Sequence, residues 1–364
     1  MTDIAIFLMD LGGGGAERVM INLAQGFVEN QLSVDLVLVQ AKGPYLAQLP
    51  EGINVITLNS SRLLLSIPKL IQYLKKKQPK FLLSALDDTN FVAILAGKIA
   101  GNSTQVAVTV HNNLSRESRN SPQLKRRLTP TLVGWFYPSA DYVIGVSKGV
   151  TDNLITLGSP PEKTHSIYNP IVSAQLLEKL QEPVNHPWFA PGQPPVILGV
   201  GRLNPQKDFA TLIRAFSQVQ KQYKARLMIL GEGKEQTALT TLVEDLDLTE
   251  NVAFPGFVDN PYSYMARAGV LVLSSAWEGF GNVLVESMVA GTPVVSTDCE
   301  SGPGEILAQG QYGKLVPVGD SQAMAAAIVA TLTEPTNPER LKQRAMEFSL
   351  ENSVNQYLQI LRMD

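Results

Sequence analysis

Two glutamates eight positions apart, Glu278 and Glu286, lie in Ser274-Ser-Ala-Trp-Glu-Gly-Phe-Gly-Asn-Val-Leu-Val-Glu286, with the glycine loop Gly279-Phe280-Gly281 following the first. Carboxylates accept hydrogen bonds from hydroxyl groups, and a glycine loop lets backbone amides approach the same ligand. A second constellation, Val200-Gly-Arg-Leu-Asn-Pro-Gln-Lys-Asp208, offers Arg202 and Lys207. A planar guanidinium fork beside a point-charge ammonium suits a diphosphate whose charge grows as a bond to it breaks. A third, Gly12-Gly-Gly-Gly15, opens a helix, where free amides can hold an anion. It is not a dinucleotide fingerprint, because position 17 is Glu17, and Gln40 stands where such proteins carry a ribose-binding acid. Each constellation also has a plainer reading: solvated charges, surface cations near a turn, or a tight turn with Glu17 complementing the helix dipole.

Each of these segments needs a strand before it and a helix after it. Val270–Ser275 reads as the strand ahead of Glu278, and a helix predicted from Asn282 to Ala290 ends at Gly291-Thr-Pro293. Glu278 therefore precedes the helix and Glu286 lies inside it. Asn282 can cap that helix or touch a ligand. The same alternation starts the chain, with strands at Ile4–Asp10 and Ser33–Gln40 around a helix from Ala16 to Val28, and further strands at Asn54–Leu58, Phe81–Ala85, Gln105–His111 and Tyr142–Ser147. A second series runs from Val196–Gly201 through Leu315–Pro317. Strands alternating with helices of this length predict parallel sheets, here two of them. The proline-rich segment Gln181–Pro195 is the linker candidate between domains 1–180 and 196–349. A final helix, Leu350–Arg362, gathers Val354, Tyr357, Leu358 and Leu361 on one face.

The chain has 364 residues and 45% apolar residues, enough for two cores. One cysteine, Cys299, excludes an internal disulfide and points to a reducing compartment. The three histidines are isolated, and no set of His and carboxylates is spaced to hold a divalent ion, so no metal or other cofactor is expected. The N-terminus reads as a strand rather than a secretory leader, and no apolar stretch reaches the 18 or so residues of a spanning helix. The net charge of −3 hides an asymmetry: residues 1–180 carry 17 Lys+Arg against 13 Asp+Glu, and the remainder is acidic. Basic residues concentrate at Arg62–Lys80 and at Arg116–Arg127, the latter with Leu124, Leu128, Leu132, Trp135 and Phe136 at roughly helical spacing. That pattern suits an anionic membrane surface, while the acidic whole and the missing motifs exclude nucleic acid.

The Glu-x7-Glu segment, together with Gly291-Thr-Pro-Val-Val-Ser-Thr-Asp298 and Ser301-Gly-Pro-Gly-Glu-Ile306, resembles the signature of retaining glycosyltransferase family 4. Within that family it is most similar to bacterial enzymes that add hexoses or N-acetylhexosamines to lipid-linked glycans or exopolysaccharides. The resemblance implies a GT-B fold, two Rossmann-like parallel-sheet domains facing across a cleft. The N-terminal domain would bind the acceptor and be completed by helix 350–364; the C-terminal domain would bind a nucleotide sugar, in particular a UDP-sugar such as UDP-GalNAc, UDP-GlcNAc or UDP-hexose. It further implies that Arg202 and Lys207 stabilise the leaving diphosphate, that His111 and Glu278 orient the sugar and that Glu286 grips the ribose. Gly14, Gly15, Asn169, Val258, Phe280, Gly281 and Asn282 would line the substrate. The composition and single cysteine, together with the basic stretches, point to a cytoplasmic enzyme peripheral on the inner face of the plasma membrane. Two other readings remain open: a nucleotide-sugar epimerase of the same fold, and a catalytically silent sugar-nucleotide-binding subunit.

Overall fold

Runs rich in Val, Ile, Leu and Phe, closed by polar or glycine turns, form strands of which the central ones, such as Ile4–Leu8, Val34–Leu38 and Phe81–Ala85, are buried on both faces, as parallel sheets require. The chain is described by a computed structural model covering residues 2–121 and 123–363. Its contacts separate two units, Met1–Pro170 with Leu350–Asp364, and Ile171–Ser349.

The first unit holds β1 (Ile4–Leu8), β2 (Val34–Leu38), β3 (Ile53–Thr57), β4 (Phe81–Ala85), β5 (Gln105–Val110), β6 (Tyr142–Gly145) and β7 (Thr164–Ser166). They form one parallel sheet in the order β3-β2-β1-β4-β5-β6-β7. The chain order reverses between β1 and β4, which places the ligand crevice of such a sheet beyond the carboxyl ends of these strands. The last helix, Leu350–Leu361, packs on the first, Gly15–Glu29. Val354, Tyr357 and Leu361 are buried, the Tyr357 ring meets Phe27 edge-on at 6.1 Å, and Gly26 leaves room that a β-carbon would fill against Val354. Asn22 Nδ2 donates to the Pro170 carbonyl at 2.9 Å and Ser353 Oγ to that of Tyr168 at 2.9 Å, which ties down the end of the unit.

The second unit repeats the plan with β8 (Val196–Val200), β9 (Arg226–Leu230), β10 (Val252–Gly256), β11 (Val270–Leu273), β12 (Val294–Thr297) and β13 (Lys314–Val316), ordered β10-β9-β8-β11-β12-β13 and all parallel. Its switch point lies between β8 and β11. Phe209, Leu212, Phe216 and Val219 of the helix Phe209–Val219 are buried in one core with Met324 and Ile328 of the helix Ser321–Thr333.

The division between units falls at Pro170, ahead of the proline-rich segment. Gln181–Pro195 lies inside the second unit, for a physical reason. Asn260 Nδ2 binds the Lys179 carbonyl at 2.8 Å and Glu182 Oε2 at 2.7 Å, Phe189 meets Tyr264 edge-on at 5.7 Å, and Arg226 lies 4.9 Å over the Trp188 ring. The proline content stiffens a segment that is packed rather than one that swings.

Candidate active site

In the second unit the loops after β8 and β11, neighbours at the switch point, carry the residues the sequence singles out. The loop after β8 runs from Gly201 to Asp208, where Asp208 adopts a left-handed conformation (φ 44°) and caps the next helix by accepting from the Thr211 amide. That sharp turn leaves Lys207 at the crevice. Lys207 Nζ reaches Glu278 Oε1 at 2.5 Å, and Ser275 Oγ donates to the same oxygen at 2.7 Å. Both of these bonds fall on Oε1, and Glu278 is buried. Two residues 71 apart in sequence are thus one unit of charge chemistry. Arg202 is exposed on the same loop.

Gly281 takes φ 97° and itself occupies the N-cap of the helix Asn282–Val289, so Asn282 is the first helical residue and does not cap it. A β-carbon at Gly302 would run into the Phe280 carbonyl, which makes glycine the residue that lets Ser301-Gly-Pro reach this loop. Phe280 and Gly281 are buried; Asn282, Glu286 and Val258 are half-buried, Glu286 on the helix and Val258 just past β10. Trp277, immediately before Glu278, is buried and its indole Nε1 has no partner. Burial pushes the Cys299 thiol up to about 12, with the Glu278 carboxylate adding to the shift, so this cysteine is protonated and unreactive. Its closeness to Glu278 was not visible in the sequence.

In the first unit three strand ends bear candidate groups. Gly14 caps the helix Gly15–Glu29, and the loop before it is braced: Tyr45 Oη donates to the Gly13 carbonyl at 3.1 Å, and Arg18 stacks over the Tyr45 ring at 3.9 Å. His111 follows β5, with Nε2 2.9 Å from Thr109 Oγ1 and a buried, unpartnered Nδ1. Burial pulls its pKa down to about 4, so the ring is neutral at neutral pH. After β4, Leu86 sits at φ 73°, a strained position for a leucine, and turns the chain into Asp87. Asp87 is buried; burial first, then the charges of Glu117 and Asp88, push its carboxyl up to about 7 against the pull of Arg126 and Lys125. Arg126 reaches Asp87 at 3.2 Å and Glu117 at 3.5 Å, and Lys125 reaches Asp88 at 2.6 Å. The sequence carries no sign of this cluster beyond an acidic turn. Asn169 is buried near the end of the unit.

The helix Leu124–Phe136 buries Thr129 and Val133, while Leu124, Leu128 and Trp135 are 70%, 50% and 75% exposed and Leu132 and Phe136 are half-buried. The apolar residues are therefore split between the unit and the solvent. Among the described residues no helix is long and apolar enough to cross a membrane, and no three His, Cys, Asp or Glu side chains converge as metal ligands do. The sequence does contain an Asp-x-Asp pair, Asp245-Leu-Asp247, but it ends the helix Gln236–Asp245 ahead of β10, at the edge of the sheet opposite the strand ends that carry Lys207 and Glu278.

Two parallel-sheet units of this kind are also what known proteins show. Residues 13–175 match the family model Glycosyltransferase Family 4, and residues 182–348 the model Glycosyl transferases group 1. The chain is 31% identical, over 95% of its length and 94% of the relative's, to N-acetylgalactosamine-N,N'-diacetylbacillosaminyl-diphospho-undecaprenol 4-alpha-N-acetylgalactosaminyltransferase of Campylobacter jejuni. It is 37% identical to the lipopolysaccharide core biosynthesis glycosyltransferase LpsE of Rhizobium meliloti over 47% of this chain and 51% of that one. In fold it matches HepE of Anabaena, crystallised with UDP and glucose, over the whole of both chains with a TM-score of 0.82 at 24% identity. Fold, family models and relatives define a glycosyltransferase of the GT-B class. The chain belongs to glycosyltransferase family 4.

Proposed function

We propose that this transferase moves a hexose or N-acetylhexosamine from a UDP-sugar to a lipid-linked glycan or polysaccharide acceptor, with retention at the anomeric carbon. The observation that carries the reading is the Lys207–Glu278 pair at the switch point, 2.5 Å apart with Arg202 on the same loop. In this reading the bond from the sugar's C1 to the β-phosphate oxygen breaks and a bond from the acceptor oxygen to C1 forms on the same face. The acceptor proton passes to the departing diphosphate. Arg202 and Lys207 stabilise the growing negative charge, Glu278 orients the sugar, and Glu286 accepts from the ribose hydroxyls. Phe280, Gly281, Asn282 and Val258 complete the substrate contacts of the second unit.

The names of the relatives support the substrate class: the Campylobacter enzyme acts on a diphospho-undecaprenol-linked glycan, and HepE binds UDP. Cations at the strand ends support a metal-independent reaction, since they supply the charge a divalent ion supplies elsewhere. The exposed Leu124, Leu128 and Trp135, with the exposed Arg119 and Arg127, support a peripheral position on an anionic, cytoplasmic membrane face. Calorimetric titration with UDP-, GDP- and ADP-sugars tests the donor. Tightest binding by a UDP-sugar agrees with the proposal; preference for GDP- or ADP-sugars contradicts it.

A further inference from the structure

We infer that Gln206 is a positioning residue for the Lys207–Glu278 pair, holding the loop after β8 against the loop after β11 with both its backbone carbonyl and its side-chain amide. The sheet cannot hold them by itself. β8 and β11 are paired at Ile197 with Val270 and at Leu198 with Leu271, and this ladder stops before either loop begins. Beyond it, three hydrogen bonds set the register. The Ala276 amide donates to the Gln206 carbonyl at 2.8 Å, Gln206 Nε2 donates to the Trp277 carbonyl at 3.0 Å, and Ser274 Oγ donates to the Lys207 carbonyl at 2.7 Å.

Gln206 immediately precedes Lys207, and the two residues it grips immediately precede Glu278. Its bonds therefore fix the backbone one residue upstream of each member of the pair. A glutamine suits this position, because a neutral amide satisfies a carbonyl without adding a charge beside the Nζ and carboxylate that the ligand must find. A glutamate here would keep the shape, turn an acceptor on the Trp277 carbonyl and offer Lys207 a competing carboxylate. Methionine would keep the size and lose the donor.

Two variants, Gln206→Met and Gln206→Glu, test the assignment with two readouts. Peptide-level hydrogen exchange of the free protein should show residues 274–281 exchanging several-fold faster in both, with the rest of the second unit unchanged. Because the pair acts on charge that develops during transfer, kcat should fall roughly tenfold or more while the donor KM changes less than about threefold. Unchanged exchange in 274–281, faster exchange across the whole unit, or an unchanged kcat overturns the assignment. The kinetic arm rests on the transferase reading proposed above, whereas the exchange arm does not. A wild-type protein that transfers no sugar would sink that reading and still leave the exchange result to decide on Gln206.

Discussion

Lys207 and Arg202 have the same proposed role and different surroundings, which separates their mutational signatures. Lys207 is paired with a buried carboxylate, so Lys207→Ala strands the Glu278 charge and should cost about 3 kcal/mol of stability as well as roughly 2–4 kcal/mol of transition-state stabilisation. Arg202 is exposed, so Arg202→Ala should cost a similar amount in kcat/KM and less than about 0.5 kcal/mol in stability. Denaturant titration beside steady-state kinetics checks both, and equal stability losses would argue against the ion pair. Asp87 gives a pH signature. Its carboxyl titrates near 7 when folded against 3.8 as the ordinary value, so its contribution is complete below 3.8 and is lost as pH rises through 7. Asp87→Asn should therefore stabilise the protein by on the order of 2 kcal/mol at pH 8 and by less at pH 5. His111 works the other way: neutral when folded, it favours the native state above 6.5 and loses that contribution as pH falls toward 4. A thermal-melt series of the Asp87→Asn variant from pH 5 to 8 that shows no pH trend would contradict a protonated, buried Asp87.

At the scale of the element, periodicity and turn chemistry were legible. The strands around both switch points, the helix that contains Glu286 and the final amphipathic helix stand within a few residues of where alternation and glycine or proline stops put them. Three things were not legible in the local pattern. Gly281, not Asn282, caps its helix, since a left-handed turn at φ 97° needs glycine. Gln181–Pro195 looks like a linker by composition and is held by Asn260 and Tyr264, which follow it by many residues. The helix Leu124–Phe136 has a helical spacing of leucines and aromatics, but the surface it packs on chose Thr129 and Val133 instead. That choice sharpens the membrane test. Lys125 and Arg126 are engaged by Asp88 and Asp87, so the residues left to meet lipid are Arg119, Arg127, Leu124, Leu128 and Trp135. The protein should float with vesicles containing anionic lipid at low salt and release at high salt, and a variant combining Arg119→Glu, Arg127→Glu and Trp135→Ser should not float. Equal flotation of that variant would move the contact elsewhere.

For the whole molecule, a repeated doubly wound sheet explains why the candidate groups collect at the strand ends of both units. It also explains why sequence alone could name the groups without joining them. Glu278 and Lys207 were each legible in a motif, and only the adjacency of β8 and β11 makes them a pair. In the proposed reaction Arg202 and Lys207 supply the charge at the phosphates, so turnover should persist in EDTA, and a strict Mg²⁺ or Mn²⁺ requirement would contradict this. Group transfer with retention is checked by incubating a UDP-hexose or UDP-N-acetylhexosamine with a polyprenyl-diphosphate-linked glycan and measuring UDP release and the anomeric configuration of the product by NMR. Acceptor-dependent release of one UDP per sugar transferred is expected, with a product that keeps the donor's own anomeric configuration. An inverted product, or UDP release that ignores the acceptor, would contradict the claim.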